Sequence, residues 1–172
     1  MIVVKCAQCK RKIFKYQKIG KGRLWHYWKD RIIEDYSVRD GNEVKVWVPP
    51  SFRGVKNARE IIEVKKPTKL YEGIYSTGEL EGIEQSLCVE TEKGIVIIVG
   101  CSHPGMEHIL QVASQFGKVY GIIGGLHGFR EYDLFKDLEL ICPTHCTQHK
   151  AEIRSLYSKK YIEGGVGRII EF

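Results

Sequence analysis

The chain has 172 residues, a formal net charge of +6, and 43% hydrophobic and 10% aromatic residues. This composition supports a folded core and excludes wholesale disorder, and no apolar run reaches the roughly 18–20 residues that a membrane span needs. The first residues lack the basic-then-apolar pattern of a secretory signal, so we expect a cytoplasmic protein without membrane contact.

The positive charge is concentrated near the start of the chain. Residues 1–48 hold 12 lysines and arginines against 5 acidic residues, whereas the remainder is nearly neutral. This asymmetry predicts two modules, at residues 1–47 and 48–172. A basic excess of this kind suits contact with nucleic acid or another anionic surface, or it is simply a solvated face.

The N-terminal module contains a Cys-x-x-Cys turn formed by Cys6 and Cys9, followed by the alternating pattern of a strand at residues 13–16. Such a turn presents two thiolates and is half of a structural zinc site. The stretches at 18–23 and 28–32 make residues 5–44 resemble the small archaeal-type zinc ribbons.

The second cysteine pair of such a ribbon would follow residue 44, but the next six residues contain no thiol. Cys6 and Cys9 therefore form either a zinc site, completed by His26 and the distant Cys88, or a degenerate knuckle with two free thiols. In the second case zinc would not be needed for folding.

The C-terminal module alternates strand and helix patterns, which predicts an α/β layer with a central sheet. Helical periodicity and glycine-bounded apolar runs separate its elements, and Thr147 is the expected N-cap of the last helix. The predicted strands are at residues 86–90, 94–99, 118–123, 139–142 and 165–172, and the predicted helices at 107–116, 131–136 and 147–159.

Three histidines of this module, His103, His127 and His145, each follow a predicted strand by a few residues. Sites in α/β folds form where the loops after the strands converge, so these three together are candidate site residues, whereas any one of them alone would be interpreted as a surface or core histidine. His108 and His149 lie within or beside predicted helices and are interpreted as structural.

Six sequence blocks occur in an order that resembles the C-terminal half of a metallo-β-lactamase-superfamily metal-dependent hydrolase. The branch that it resembles includes the dihydropterin–ribofuranosylaminobenzene phosphate synthases. The blocks are Gly73-Ile-Tyr-Ser-Thr-Gly78, Glu84-Gln-Ser-Leu87, Gly100-Cys-Ser-His-Pro-Gly105, Ile123-Gly-Gly-Leu-His127, Pro143-Thr-His-Cys-Thr147 and Gly165-Val-Gly-Arg-Ile169.

The resemblance implies half of an αββα sandwich that binds zinc or another divalent metal. It also implies that three histidines are the metal ligands: His103 is the third-motif residue, His127 the fourth-motif residue and His145 the last-motif residue. The His-x-His-x-Asp-His loop of that superfamily does not occur in this sequence. We therefore expect an incomplete, hydrolase-like protein acting on a small phosphorylated or ester substrate, or else an inert metal-binding remnant. The alternative is a non-catalytic module that binds nucleic acid or protein through its basic ribbon.

A half-sandwich is expected to leave one face of its sheet uncovered. We predict that this face carries apolar side chains and that the N-terminal ribbon, self-association or a partner chain covers it, because a soluble monomer does not tolerate so much exposed apolar area. The side chains concerned are Ile95, Ile97, Val99, Ile122 and Leu140.

Overall fold

The computed structural model describes residues 2–5, 12–16, 32–35, 45–51, 60–165 and 167–171. The chain divides into two compact units, Met1–Glu43 and Val44–Phe172. In the described part of the chain, none of the helices has both the length and the apolarity to cross a bilayer.

The first unit contains a three-stranded antiparallel sheet of order β1-β2-β3. Its strands are β1 (Ile2–Lys5), β2 (Lys12–Tyr16) and β3 (Ile32–Asp35). Cys6, Cys9 and His26 lie outside the described residues, so the zinc knuckle stays a prediction.

The second unit is built on a six-stranded mixed sheet of order β11-β10-β9-β8-β7-β6, beside a parallel pair of β4 and β5. Neighbours from β6 to β9 pair antiparallel, whereas β9, β10 and β11 run parallel. The strands are β4 (Lys45–Val48), β5 (Glu60–Glu63), β6 (Thr68–Tyr71), β7 (Ile74–Ser76), β8 (Leu87–Thr91), β9 (Gly94–Val99), β10 (Val119–Gly124) and β11 (Leu140–Pro143).

The segments between the parallel strands are helical. Helix α1 (Met106–Ala113), continued by a 3-10 turn over Ser114–Phe116, connects β9 to β10, as the periodicity predicted. A 3-10 helix, Tyr132–Phe135, precedes β11, and helix α2 (Lys150–Leu156) follows it.

The hydrophobic core lies between one face of the large sheet and these helices. The register aligns one residue from each of β8, β9, β10 and β11 in a single row on that face, and each of these side chains is at most 1% exposed. Helix α1 adds an apolar stripe to this core, helix α2 adds Ile153, and the 3-10 helix before β11 adds Phe135. The row consists of Cys88, Ile97, Ile122 and Ile141.

The prediction of an uncovered sheet face at Ile95, Ile97, Val99, Ile122 and Leu140 is wrong, because all five side chains are at most 5% exposed. The first four belong to the core cluster that α1 completes. Exposure remains on the opposite face, where Ile98 is 41% exposed. Self-association stays a prediction, and the five predicted side chains give it no support because they are already buried within the chain.

Two predicted elements near the C-terminus also differ. The last helix begins at Lys150 with His149 as its N-cap, and not at Thr147. The hydroxyl of Thr147 instead accepts the backbone N–H of Leu126 at 3.0 Å. Gly165 and residues 167–171 adopt no strand, because no neighbouring strand pairs with them in the described part of the chain.

Candidate metal centre

The three parallel strands end in register. Val99 pairs with Gly124, which in turn pairs with Pro143, so the loops after β9, β10 and β11 leave the sheet from one row. Backbone hydrogen bonds join these loops: the N–H of Gly125 donates to the carbonyl of Gly100 at 3.1 Å, and that of Thr144 to Gly124 at 2.7 Å. The predicted convergence of these loops is present.

Two of the predicted histidines are neighbours at this edge. The ring centroids of His103 and His127 lie 4.9 Å apart, with the planes inclined at 53°. Both line an open pocket of about 420 Å³. His127 has a positive φ of 44°, a backbone conformation that non-glycine residues seldom adopt. Other lining residues are Ser102, Leu126, Phe129 and Arg130.

The third predicted histidine has different neighbours. The Nε2 atom of His145 lies 3.4 Å from the Sγ atom of Cys101, and its Nδ1 atom lies 3.2 Å from the hydroxyl of Thr144. One ligand atom each from Cys101, His145 and Cys146 lies within 4.8 Å of the other two. His103 and His127 do not belong to this group. The structure thus places His103 and His127 beside each other and places His145 in a mixed thiol–imidazole cluster at the same edge of the sheet.

The surroundings of Cys101 favour its neutral thiol over the thiolate. Burial, followed by the hydrogen bond with Cys146, raises the pKa of Cys101 to about 11. Because metal ions bind the thiolate, a metal entering the cluster must displace that proton.

A carboxylate holds the loop after β9. The Oε1 atom of Glu84 accepts the backbone N–H of Ser102 at 2.9 Å and that of Cys101 at 3.4 Å. Ser102 has a positive φ of 59°, so these bonds stabilise a backbone conformation that costs free energy. Glu84 therefore fixes the loop that carries Cys101 and His103.

The sequence interpretation missed Cys101, Cys146 and Glu84. The rule that found the histidines, position just after a parallel strand, applies equally to the two cysteines. Glu84 begins one of the six blocks of the family resemblance, but nothing local indicated its contact with this loop, because it reaches the loop from 17 residues earlier in the chain. The two histidines interpreted as structural pair with carboxylates: His108 Nδ1 lies 3.3 Å from Glu81, and His149 Nδ1 lies 3.4 Å from Glu152.

The donor atoms at this edge fit a zinc-type metal. Imidazole nitrogens and thiolate sulfurs are the ligands that zinc prefers, and two thiols in one group favour it over magnesium or calcium. The metal-ligand roles of His103, His127 and His145 stay predictions.

Comparison with known proteins finds no matching family model. The chain is 33% identical over 139 residues to the 7,8-dihydropterin-6-methyl-4-(β-D-ribofuranosyl)-aminobenzene-5′-phosphate synthase of Methanocaldococcus jannaschii, covering 69% of this chain and 46% of the synthase. It is also 33% identical over 87 residues to an uncharacterized protein of the same organism, covering 45% of this chain and 34% of that protein. The chain thus spans half or less of the length of these relatives.

Among solved structures, the chain resembles a metal-dependent hydrolase of the β-lactamase superfamily. The TM-score is 0.59 at 18% identity, covering 74% of this chain and 71% of the other. The fold is therefore α/β and metallo-β-lactamase-like. The synthase similarity adds a distant sequence relationship to an enzyme.

Proposed function

We propose that the protein is a metal-dependent hydrolase that acts on a small phosphorylated or ester substrate in the pocket at the carboxyl edge of the sheet. The observation that carries this proposal is the His103–His127 pair, whose ring centroids are 4.9 Å apart inside a pocket of about 420 Å³. A pocket of this size accommodates a small molecule, and its position is where α/β enzymes place their sites.

His103 and His127 would hold a divalent metal, with His145 as the third ligand that the family resemblance implies. When bound, such a metal polarises a substrate oxygen and lowers the pKa of a water molecule toward neutrality. Zinc suits an imidazole set better than magnesium does, because magnesium prefers oxygen ligands.

The chain's own side chains supply substrate binding. The exposed residue Arg130 lines the pocket, and a guanidinium binds phosphate oxygens through paired hydrogen bonds. Phe129 and Leu126 add an apolar wall that would exclude water from one side of the substrate. This combination favours a phosphorylated substrate over a neutral ester, in keeping with the phosphate in the relative's name.

The test is hydrolysis of p-nitrophenyl phosphate, bis-p-nitrophenyl phosphate and p-nitrophenyl acetate by the full chain with Zn²⁺ or Mn²⁺. We expect metal-dependent turnover that His103→Ala and His127→Ala each reduce by at least 100-fold. His108→Ala is the matched control, because its imidazole pairs with Glu81 outside the pocket lining, and it should retain turnover.

Arg130→Ala should raise KM for the phosphate substrates more than for the acetate. Turnover that is absent with both metals, or equal in the His103 and His108 variants, would contradict the proposal. Metal-independent binding of nucleic acid by the same protein would then favour the non-catalytic alternative.

A further inference from the structure

We propose that Cys101 and Cys146 form a site of reversible oxidation, at which a small-molecule disulfide converts their two thiols into a disulfide bond between the loops after β9 and β11. The two Sγ atoms lie within 4.8 Å of each other, and the thiols share a hydrogen bond. A disulfide places its sulfurs about 2.05 Å apart. Rotation of the two side chains, with a small shift of the loops, closes the remaining gap.

The pair differs from the other described cysteines in its access to solvent. Cys101 and Cys146 are partly exposed, whereas Cys88 and Cys142 are buried at 0% and 1% exposure. Thiol–disulfide exchange requires the attacking sulfur to reach the oxidant. A small disulfide in solution therefore reaches the first two thiols and is kept from the other two.

The strand between the two loops does not keep the sulfurs apart. β10 lies between β9 and β11, and the residue after it is Gly125. A Cβ atom there would overlap Cys146 Sγ and lie 2.5 Å from the carbonyl oxygen of Gly100. Because residue 125 has no side chain, the two cysteines meet over a bare backbone.

The reaction balances with oxidised glutathione as the small-molecule disulfide. One cysteine thiolate attacks a glutathione sulfur, which breaks the glutathione S–S bond and releases one glutathione thiolate. The second cysteine thiolate attacks the protein sulfur of this mixed disulfide, which forms the Cys101–Cys146 bond and releases the second glutathione thiolate. Two electrons pass from the protein sulfurs to glutathione, and the two cysteine protons pass to the glutathione thiolates.

The bond acts on the neighbouring histidine. In the reduced chain the Sγ atom of Cys101 lies 3.4 Å from the Nε2 atom of His145, which is the residue before Cys146. Drawing the two sulfurs together changes this contact and moves the loop that carries His145. Active-site groups must stay within about 0.5 Å of their productive positions. Oxidation therefore lowers hydrolysis, a consequence that rests on the proposed function, whereas the disulfide itself does not.

The first test uses the wild-type full chain in glutathione buffers of rising oxidised-to-reduced ratio. Free thiols are then blocked with N-ethylmaleimide, and disulfides are mapped by mass spectrometry without reduction. Cys142 and Cys146 lie in one tryptic peptide, because no lysine or arginine separates them, so fragment ions assign the linked residue. We expect a linkage between Cys101 and Cys146 that dithiothreitol reverses, with Cys88 and Cys142 left unlinked.

Two comparisons separate a folded site from chance pairing. In urea, where no fold selects the pair, the same oxidation should spread linkages over Cys88 and Cys142 as well. Cys142→Ala is the matched control and should keep the linkage, whereas Cys146→Ser should leave Cys101 as a glutathione adduct. Absence of the Cys101–Cys146 linkage in fully oxidised glutathione, or the same linkages with and without urea, would overturn the site.

The second test measures turnover of p-nitrophenyl phosphate with Zn²⁺ after oxidation and removal of glutathione. We expect the oxidised wild-type chain to turn over at least tenfold more slowly than the reduced chain, and equal rates for the two forms of Cys101→Ser/Cys146→Ser. Equal rates for the two wild-type forms would refute control of the site by the disulfide. If the reduced chain shows no turnover, the proposed function fails, and the mass measurement still decides whether the disulfide forms.

Discussion

The substitution Gly125→Ala tests how the loops at the carboxyl edge fit together. A methyl group there would lie 2.5 Å from the carbonyl oxygen of Gly100 and 3.0 Å from His145 Cε1, and would overlap Cys146 Sγ. The carbonyl cannot rotate away, because it already accepts the N–H of Gly125 at 3.1 Å. At least one loop must therefore move by roughly 1 Å to restore ordinary contacts of about 3.5 Å.

The expected cost follows from this overlap. Inserting a methyl group into a packed site typically costs about 1–3 kcal/mol. For a chain of this size, a loss of about 2 kcal/mol corresponds to a decrease in Tm of about 4–8 °C.

Thermal unfolding followed by circular dichroism measures this effect. Gly128→Ala is the matched control from the same loop, because its added Cβ would lie 3.7 Å from Gln148 Oε1, an ordinary contact. If Gly125→Ala melts within 1 °C of Gly128→Ala, the close approach of the loops is refuted, because each kcal/mol of lost stability should lower Tm by roughly 2–4 °C.

Three further predictions concern residues that hold the site or the core. Glu84→Ala should lower the free energy of unfolding by about 1–2 kcal/mol in urea titrations, with partial recovery in Glu84→Gln, which keeps an acceptor for the Ser102 N–H. Thr147→Val should cost about 1 kcal/mol in the same assay because Leu126 loses its acceptor, and Thr147→Ser should restore it; equal stability of the two variants would contradict the bond. Burial raises the pKa of Cys88 to about 12, so folding favours its neutral thiol: this stabilisation is complete below pH 9 and lost as the pH rises toward 12. Cys88→Ala should remove that part of the alkaline slope of stability, and an unchanged slope would contradict the shift.

Much of the C-terminal architecture could be predicted from local sequence. Apolar runs bounded by glycine located the strands β8 to β11, and the helical period located α1, because burial on one face imposes those spacings. The position of His103 and His127 after two parallel strands predicted that they would meet, since parallel neighbours end at a common edge. Their ring centroids are 4.9 Å apart.

The tertiary structure decided which side chains the third histidine joins. The register of Val99, Gly124 and Pro143 determines how far each loop reaches across the edge, and strand pairing of this kind is set by long-range packing that no local pattern encodes. His145 consequently lies beside Cys101, 44 residues earlier in the chain, in a group that also includes Cys146.

Long-range packing also explains why α2 does not begin at Thr147, as the sequence predicted. Thr147 has the side chain of an N-cap, and locally that is the best prediction. Its hydroxyl is instead engaged by the backbone of Leu126, which comes from 21 residues earlier, and the helix begins only at Lys150. A cap preference is worth about 1 kcal/mol, so a competing hydrogen bond from a neighbouring loop is enough to override it.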